Sequence, residues 1–383
     1  MKFKVNRVGF TKIVGLVSGV AGLRQINPVL KNVAIVTEGK RIKVFATDLS
    51  RFLEMSIEAT IVEEGSILLE ASTLATFLNF LESEEVEVSG DTKIKVEGGK
   101  YKVNFQTSDF SDFPELPKPK GETFDTDLNF LNELSSRVAI SCGDQTQKIF
   151  MQSIYFDLVK KCVSATDSQR ASILKMGITG NGTYLFPFNV TPLLKNLTSD
   201  GNLKVTFSTG WITFQGDLGR VGVMGVSENF PDIQASLDRI IVGEPATKLE
   251  LSKSELKKVL GICDYFISQN KVVTSVQMVW GKGKAQFKVV IADLADVDNS
   301  VECDIEGEQS GIIQFRPKLM LDGCNAVRSN KVTLKVWEPF KPILVEDNEC
   351  PEWVYTVMPT GDSNVVEQWK KAKEDSVVEE SDF

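Results

Sequence analysis

The chain has 383 residues, of which 42% are hydrophobic and 25% are charged, and its formal net charge is −9. This composition is typical of a globular protein, and the negative charge excludes a uniformly basic nucleic-acid-binding surface but not a local basic face. The absence of histidine excludes histidine-dependent catalytic triads and histidine-ligated zinc. The six cysteines have no metal-ligand spacing, so we expect no metal, cofactor or disulfide framework.

The first third of the sequence combines predicted strands with two predicted helices. Residues 1–5 alternate polar and apolar side chains and lack the apolar block of a secretory signal, and no apolar run is long enough to cross a membrane, so we expect a cytoplasmic protein. Apolar residues at helical spacing predict helices over 7–22 and 72–81. Strands are predicted over 2–5, 32–37, 41–47, 53–62, 66–70, 86–88, 93–96 and 101–105.

The same order of elements is predicted twice more. The second copy has predicted helices over 128–140 and 189–197, and the third copy has them over 254–267 and 317–327. Strands of the second copy are predicted at Phe124 and over 153–158, 162–165, 203–207, 211–214 and 221–226. Strands of the third copy are predicted over 248–251, 275–279, 285–292, 332–337, 343–345 and 354–358.

Two series of short sequence marks recur at the spacing of a whole domain. They are Asp48, Asp167 and Asp293 after similar strands, and Pro114, Pro231 and Pro359, at which each copy is expected to close on a strand ending in proline. A period of this length indicates domain-sized repeats instead of a short solenoid. We predict three similar domains over 1–120, 121–245 and 246–360, and an acidic tail over 361–383.

The recurring marks belong to a longer series of motifs that resembles a known family. In chain order the motifs are Met1-Lys2-Phe3, Val17-Ser18-Gly19, Arg24, Asn27-Pro28-Val29-Leu30, Ala46-Thr47-Asp48-Leu49, Asp112-Phe113-Pro114, Ala165-Thr166-Asp167, Arg170, Phe230-Pro231-Asp232 and Val357-Met358-Pro359. Their joint order and spacing resemble the bacterial-type sliding clamp, the β subunit that tethers a replicative DNA polymerase. The resemblance implies the α+β DNA clamp fold, with three similar domains per chain and two chains closed head to tail into a ring, helices inside and sheets outside.

The resemblance implies a processivity factor of DNA replication and not an enzyme. A positively charged inner surface would let the ring slide, because phosphate attraction is independent of base sequence. The implied partners are duplex DNA, the replicative DNA polymerase, a clamp loader, other proteins with clamp-binding motifs and a second copy of the chain, in a bacterial cytoplasm or in a host cytoplasm if a phage encodes the protein. The candidate DNA-facing residues are Arg7, Lys12, Arg24, Arg137, Lys195, Lys253, Lys257, Lys258, Arg316, Lys318, Arg328 and Lys331.

The resemblance also implies an apolar cleft that binds short peptides of client proteins, between the second and third domains. Matching the family motif assigns to it Met151, Thr166, Ser168, Gln169, Arg170, Ala171, Pro231, Ser236, Arg316, Leu319, Phe340, Pro342, Thr356, Val357, Met358 and Pro359. Methionines at such a site adapt to varied aliphatic and aromatic anchors. The end of the tail, 377–383, which combines apolar and acidic residues, is a further hypothetical occupant of this cleft.

The sequence departs from the family pattern at the cleft. Ser168-Gln169-Arg170-Ala171 replaces the usual Gly-His-Arg-Leu, and Arg316 stands where a small amide is typical. These departures suit a phage or otherwise divergent clamp with its own client preference. The dimer interface implied by the resemblance pairs the last strand of the first domain, with Phe105, and the end of the first helix of the third domain, with Phe266 and Ile267, and we expect these side chains to be exposed.

Two alternatives remain open at this point. An enzyme could use Asp48, Asp167 or Asp293 as acids, bases or magnesium ligands, but equivalent positions in successive repeats lie a domain apart, and turn chemistry at strand ends accounts for them. The Gly281-Lys282-Gly283-Lys284 segment predicts a hairpin turn and not a phosphate loop. The second alternative is a peptide-binding scaffold that keeps the clamp fold but does not encircle DNA.

Overall fold

The computed structural model describes residues 1–22, 27–143, 148–178, 180–208, 210–270 and 272–361, together with Glu367 and Trp369. The chain forms two compact units: unit 1 comprises Met1–Asn132 and Phe186–Ser227, and unit 2 comprises Glu133–Leu185 and Glu228–Phe383. Each unit contains a large antiparallel sheet. The boundary passes through the predicted second domain, because some strands of that repeat join the sheet of unit 1 and others join the sheet of unit 2.

The described residues form the following strands and helices. The strands are β1 Lys2–Asn6, β2 Asn32–Glu38, β3 Arg41–Thr47, β4 Arg51–Glu63, β5 Ser66–Glu70, β6 Glu85–Gly90, β7 Lys93–Gly98, β8 Tyr101–Gln106, β9 Gly121–Asp127, β10 Ser153–Asp157, β11 Cys162–Thr166, β12 Arg170–Lys175, β13 Thr183–Pro187, β14 Asn202–Ser208, β15 Trp211–Gln215, β16 Gly219–Met224, β17 Thr247–Ser252, β18 Val276–Gly281, β19 Lys284–Ile291, β20 Ala295–Gly307, β21 Gly311–Phe315, β22 Lys331–Val336, β23 Ile343–Glu346 and β24 Trp353–Val357. The α-helices are α1 Arg7–Ser18, α2 Ala71–Phe80, α3 Leu128–Glu133, α4 Thr191–Leu194, α5 Ile233–Ile240, α6 Lys253–Ser268 and α7 Pro317–Ala326.

Unit 1 is built on a sheet with the order β8-β7-β6-β1-β4-β16-β15-β14-β9, and β3, β2 and β5 extend from β4. Helix α1 begins where the Asn6 side chain accepts a hydrogen bond from the Gly9 N–H, which satisfies one of the free amides of the first turn. One face of α1 is buried, and its Phe10 ring packs edge-on against Phe3 of β1 at 6.2 Å. The buried apolar face of α1 therefore contributes to the core of the first repeat.

Unit 2 has a sheet with the order β13-β10-β11-β12-β24-β23-β22-β17-β20-β19-β18-β21. Helices α6 and α7 contact each other, and α6 also contacts β17, β19 and β20. The buried face of α6 includes Leu256, Leu260 and Cys263. Alternation along β17 buries Leu249 and Leu251 and leaves the side chains between them on the opposite face.

The repeat predicted from the Thr-Asp marks of the first two copies is confirmed in atomic detail. In both copies the threonine hydroxyl donates to the carbonyl of an arginine, at Thr47–Arg51 with 2.8 Å and Thr166–Arg170 with 2.7 Å. In both copies the aspartate accepts the same backbone and guanidinium hydrogen bonds. The prediction that these aspartates perform turn chemistry is therefore confirmed.

The third mark, Asp293, is not the counterpart of Asp48. The hairpins β2–β3 and β18–β19 both have two-residue turns, and their registers align Ala46 with Val289. Asp293 therefore lies two residues beyond the position of Asp48, in the short turn to β20, with φ 59°. The predicted hairpin at Gly281–Lys284 is confirmed, with positive φ at Lys282 and Gly283.

Two predicted helices of the second copy are wrong in extent. The predicted helix over 128–140 is α-helical only as α3, continues as a π-helical turn Leu134–Val138, and ends in a short 3-10 helix. The carbonyl of Arg137 accepts hydrogen bonds from the Ser172 hydroxyl and the Trp353 indole, which takes it out of the regular helical ladder. The predicted helix over 189–197 is α-helical only as α4.

Other differences concern strand ends and missed elements. Strands β8 and β16 end several residues before Pro114 and Pro231, so only β24, which ends at Val357, closes beside its proline as predicted. The segment before Pro114 is instead a 3-10 helix, Phe110–Asp112. The elements that the sequence analysis missed are β12, β13, β20, β21 and α5.

Candidate functional site

The candidate site lies in unit 2, at the end of the β11–β12 hairpin. The Thr166–Arg170 turn is held by Arg170, whose Nε donates to Asp167 at 2.9 Å and whose Nη1 donates to Asp322 of α7 at 2.7 Å. Ser168 has φ 74° in this turn, a conformation that glycine adopts at lower cost. The turn is therefore tied directly to α7.

The end of β24 forms the second wall. Strand β24 pairs with β12 in the register Ala171–Thr356, and the Met358 N–H donates to the Gln169 carbonyl at 2.7 Å. The Tyr355 hydroxyl donates to the Leu319 carbonyl of α7 at 2.7 Å, and burial raises the pKa of this hydroxyl above its ordinary value, so it donates as the neutral phenol. The hairpin, β24 and α7 are thus held together at one place.

The surface of this place combines exposed apolar and polar side chains. Met358 and Phe340 are exposed, and the β23–β24 register continues to place Pro342 opposite Met358. Gln169 is exposed next to Met358, to whose N–H its backbone carbonyl is bonded, and the exposed Arg316 donates from Nη1 to Gln169 Oε1 at 2.7 Å. We call the surface formed by the Thr166–Arg170 turn, Arg316, Phe340, Met358 and Pro359 the cleft.

Several residues assigned to the cleft by sequence lie beneath its surface. The buried residues are Thr166, Ala171, Leu319, Pro342, Thr356 and Val357. They form the floor of the cleft, so a ligand would contact the exposed residues instead. The buried hydroxyl of Thr166 is used within the turn.

The remaining assigned residues belong to a neighbouring cluster around Phe230. The Phe230 ring stacks on Tyr155 at 4.5 Å with an angle of 8° between the rings, and it also meets Phe150, the neighbour of Met151, at 6.1 Å. A cavity of about 70 Å³ beside Pro231 is lined in part by Ser164 of β11. Ser164 and Thr166 lie two residues apart and therefore share a face of β11, which connects this cluster to the floor of the cleft.

Helix α5 follows Pro231 and was missed by the sequence analysis. The Asp232 carboxylate accepts from the Ala235 N–H at the helix start, and the carbonyl of Asp232 accepts from the Ser236 hydroxyl. The α5 residues are exposed or half-buried, Ser236 among the exposed ones. The signal was present, because an Asp cap precedes apolar residues at helical spacing, Ile233 and Leu237.

Arg137 is a correction to the predicted DNA-facing set. Its side chain is 1% exposed and forms ion pairs with Glu133 at 2.8 Å and with Asp347 at 2.7 Å. The guanidinium lies over the Trp353 ring at 4.9 Å. A cation enclosed by two carboxylates and an indole cannot meet a phosphate, so Arg137 is a structural residue.

Lys331 is a second correction. It lies in β22, opposite Ser252 of β17, and pairs with Glu250 and Asp304 on the sheet face away from the buried Leu249 and Leu251. Strand alternation therefore places Lys331 on the face opposite α6. It does not share a surface with Lys258 of α6.

The other predicted DNA-facing residues differ in their surroundings. Lys12, Lys195 and Lys258 are exposed on or next to helices, and Lys257 is half-buried. Lys318 and Arg328 are exposed but pair with Asp322 and Glu133. Arg7 and Lys253 donate to the backbone carbonyls of Ser83 and Val327. Arg24 lies outside the described residues, as does the tail segment 377–383.

The exposure expected for the dimer residues is wrong for two of the three. Phe105 is 7% exposed and packs against Phe77 at 6.0 Å, and Ile267 is 9% exposed. Phe266 is half-buried beside Tyr265. The exposed apolar residues of the same elements are instead Tyr101 and Val103 of β8, and Ile262 and Tyr265 of α6.

Comparison with known proteins places this fold. The solved beta subunit of Streptococcus pyogenes DNA polymerase is 18% identical with a TM-score of 0.86, and covers 94% of this chain and 100% of that chain. A solved C. crescentus beta sliding clamp is 22% identical with a TM-score of 0.86, and covers 94% and 99%. The fold is therefore the DNA clamp fold, and the predicted α+β class with clamp architecture is confirmed.

The sequence comparisons identify the family. The model of the DNA polymerase III beta subunit N-terminal domain matches residues 1–117, and that of the C-terminal domain matches residues 238–361. The beta sliding clamp of Rickettsia felis is 22% identical over 94% of this chain and 99% of the relative, and that of Mycoplasma capricolum is 23% identical over 95% and 100%. The chain belongs to the DNA polymerase III beta subunit family. No described helix is both long and apolar enough to cross a bilayer.

Proposed function

We propose that this protein is a DNA sliding clamp that acts without catalysis, in the cytoplasm, as a homodimeric ring. Two copies encircle duplex DNA without sequence specificity, and the cleft tethers the replicative polymerase, the clamp loader and other clients. The family match and the near-complete coverage of beta sliding clamps support the proposal. The exposed Lys12, Lys195 and Lys258 supply positive charge on or next to helices, as non-specific phosphate attraction requires.

The observation that carries the proposal is a pair of complementary free strand edges. Within unit 1 the last strand of the second repeat, β16, pairs with the fourth strand of the first, β4, and within unit 2 β24 pairs with β12 in the same way. Among the described strands, β8 ends its sheet, and the first half of β20 pairs only with β19. Strand β8 of one copy can therefore add to β20 of another by the same rule.

The proposed register follows from the internal junction. Arg220 of β16 pairs with Glu54 of β4 at 2.9 Å. The last strands of the first and second repeats, β8 and β16, follow two-residue turns, Gly98–Tyr101 and Gly216–Gly219, so Lys102 of β8 corresponds to Arg220 of β16. The hairpins β2–β3 and β18–β19 align the first and third repeats in the same way, so Asp298 of β20 corresponds to Glu54 of β4. Lys102 would then face Asp298 of the second copy, and Val103 would face its Val297.

Exposed apolar residues flank these edges. In unit 2 the second helix of the third repeat, α7, contacts the first helical segment of the second repeat. If two copies meet as these two repeats do, the second helix of the first repeat, α2, in one copy contacts the first helix of the third repeat, α6, in the other copy. Phe80 at the end of α2 is 71% exposed, and Ile262 and Tyr265 of α6 are also exposed, so burial of apolar surface would stabilise the ring.

Retention on closed DNA tests the encircling function. A clamp loaded by its clamp loader onto nicked circular DNA is expected to stay bound through a high-salt wash, because a topological link is not screened by salt, and to dissociate after the DNA is linearised. Gel filtration of protein–DNA complexes before and after a single restriction cut measures this. Failure to remain on circular DNA, together with intact peptide binding, would favour the peptide-binding scaffold, and retention after linearisation would indicate surface binding.

A client-binding function of the cleft predicts a loss in the Met358→Ala/Phe340→Ala variant. Removing two exposed apolar contacts is expected to weaken binding of a short fluorescein-labelled peptide with leucine and phenylalanine anchors by about tenfold to a hundredfold. Fluorescence anisotropy gives the dissociation constants. Met224→Ala is the matched control, because Met224 in unit 1 is 44% exposed and Met358 is 38% exposed. Equal losses in both variants would refute the cleft.

A further inference from the structure

Among the residues that the structure describes, Arg316 is a cation of the cleft that forms no ion pair with a carboxylate. Arg170 pairs with Asp167 at 2.9 Å and with Asp322 at 2.7 Å, and Lys318 pairs with Asp322 at 2.7 Å. These two cations and two anions balance. Arg316 donates instead to the neutral amide of Gln169, and no carboxylate among the described residues forms an ion pair with it.

Arg316 is held at the edge of the cleft from two sides. Its neighbour two residues earlier, Gln314, accepts a hydrogen bond from the Thr360 N–H at 2.8 Å, directly after Pro359. Its partner Gln169 accepts from the Met358 N–H through the backbone carbonyl. The guanidinium therefore lies beside the apolar contact residue Met358. Arg316 is also the residue that precedes the first turn of α7, where the helix dipole favours a negative charge.

Gln169 and Arg316 are two of the positions at which the sequence departs from the family pattern. Gln169 stands in place of the usual histidine, and Arg316 in place of a small amide. In the structure these two side chains are hydrogen-bonded to each other. The departures therefore form one local unit, in which Gln169 orients a guanidinium and uses one of its five N–H donors.

We propose that Arg316, oriented by Gln169, binds a carboxylate of the client peptide, so that this clamp selects clients with an aspartate or glutamate next to their apolar anchors. This inference rests on the proposed function of the cleft. A guanidinium can bind a carboxylate through two parallel hydrogen bonds, and lysine cannot reproduce that geometry. At an exposed site the expected preference for the acidic peptide is about twofold to fivefold.

A charge scan of the peptide tests the proposal. The probe is the fluorescein-labelled leucine–phenylalanine peptide, with an aspartate placed at each flanking position in turn and compared with asparagine at the same position. We expect one position at which the aspartate peptide binds the wild-type protein about twofold to fivefold more tightly than the asparagine peptide. Arg316→Gln is expected to bring this ratio to about one while binding of the asparagine peptide stays unchanged, and Arg316→Lys is expected to retain part of it.

Control variants separate orientation from general electrostatics. Gln169→Ala keeps the charge of Arg316 but removes the amide that accepts its hydrogen bond. The affinity ratio of the aspartate to the asparagine peptide is expected to lie between the ratios of the wild type and of Arg316→Gln. Lys284→Gln removes an exposed charge at the β18–β19 hairpin and is expected to leave the ratio unchanged. If the aspartate and asparagine peptides bind the wild type equally well at every position, the proposal is overturned and the cleft stays intact. No binding of any peptide would overturn the cleft itself.

Discussion

The variant Val103→Asp/Tyr265→Asp is expected to be a monomer of 42.4 kDa, whereas the wild type is expected at twice that mass. Val103 is 37% exposed and Tyr265 is 61% exposed in the single chain, so the substitutions leave the fold of each unit intact. In the proposed dimer both carboxylates would be buried against apolar surface, which weakens association by about 3 kcal/mol or more. Light scattering over a range of concentrations measures the change, and thermal melting checks the fold.

The matched control and a charge swap make this test specific. Val159→Asp changes a side chain that is also well exposed, in the β10–β11 turn, and several strands separate this turn from β20 in the sheet of unit 2. This variant is expected to remain dimeric. Lys102→Asp and Asp298→Lys each place like charges opposite one another and are expected to weaken the dimer, and their combination is expected to restore it. A persistent dimer in Val103→Asp/Tyr265→Asp would reject these edges, and a failed rescue would reject the register.

The variant Arg137→Ala is expected to destabilise unit 2 by about 3–5 kcal/mol, because it leaves a buried carboxylate without its cation. The Asp347 side chain is fully buried and also accepts hydrogen bonds from the Arg328 and Ser329 N–H groups. Chemical denaturation followed by the fluorescence of Trp353, which contacts the guanidinium, reports on this unit. Lys248→Ala removes the exposed pair with Glu306 and is expected to leave stability nearly unchanged, because solvent screens an exposed ion pair.

The pH dependence of stability provides an independent check on this ion pair. Burial acts to raise the pKa of Asp347, but the hydrogen bonds from the Arg328 N–H and the Arg137 guanidinium outweigh it and lower the pKa below its ordinary value. The stabilisation is therefore complete above the unfolded-state pKa of about 3.9 and is lost as the pH falls through the folded-state value. Asp347→Asn is expected to be less stable than the wild type at pH 7, and this difference is expected to shrink below about pH 4. A difference that stays constant with pH would contradict the assignment.

The turn that frames the cleft could be predicted from sequence because its hydrogen bonds are local. The Thr166–Arg170 turn uses hydrogen bonds between residues two to four positions apart, and such turns are specified by residue type. Exposure could not be predicted in the same way. Leu319 and Met358 are both apolar, but Leu319 of α7 is buried and Met358 is exposed, and this depends on which distant parts of the chain cover each residue.

Arg137 shows the same limit for charged residues. A basic residue on a predicted helix is most often solvated, and only the approach of Asp347, 210 positions later in the chain, encloses this one. The bond between Gln169 and Arg316 likewise joins residues 147 positions apart. Neither pair has a signature in the pattern of a single sequence.

The sequence by itself determined the repeat, most strands and helices, the Thr-Asp turns and the family, because these depend on side-chain periodicity and on short-range hydrogen bonds. The tertiary structure decided which strand edges are paired, which charges are buried, and how the third repeat is aligned with the first. The physical reason is that strand pairing and ion pairing depend on distances between residues far apart in the chain, and those distances exist only after the sheets have formed.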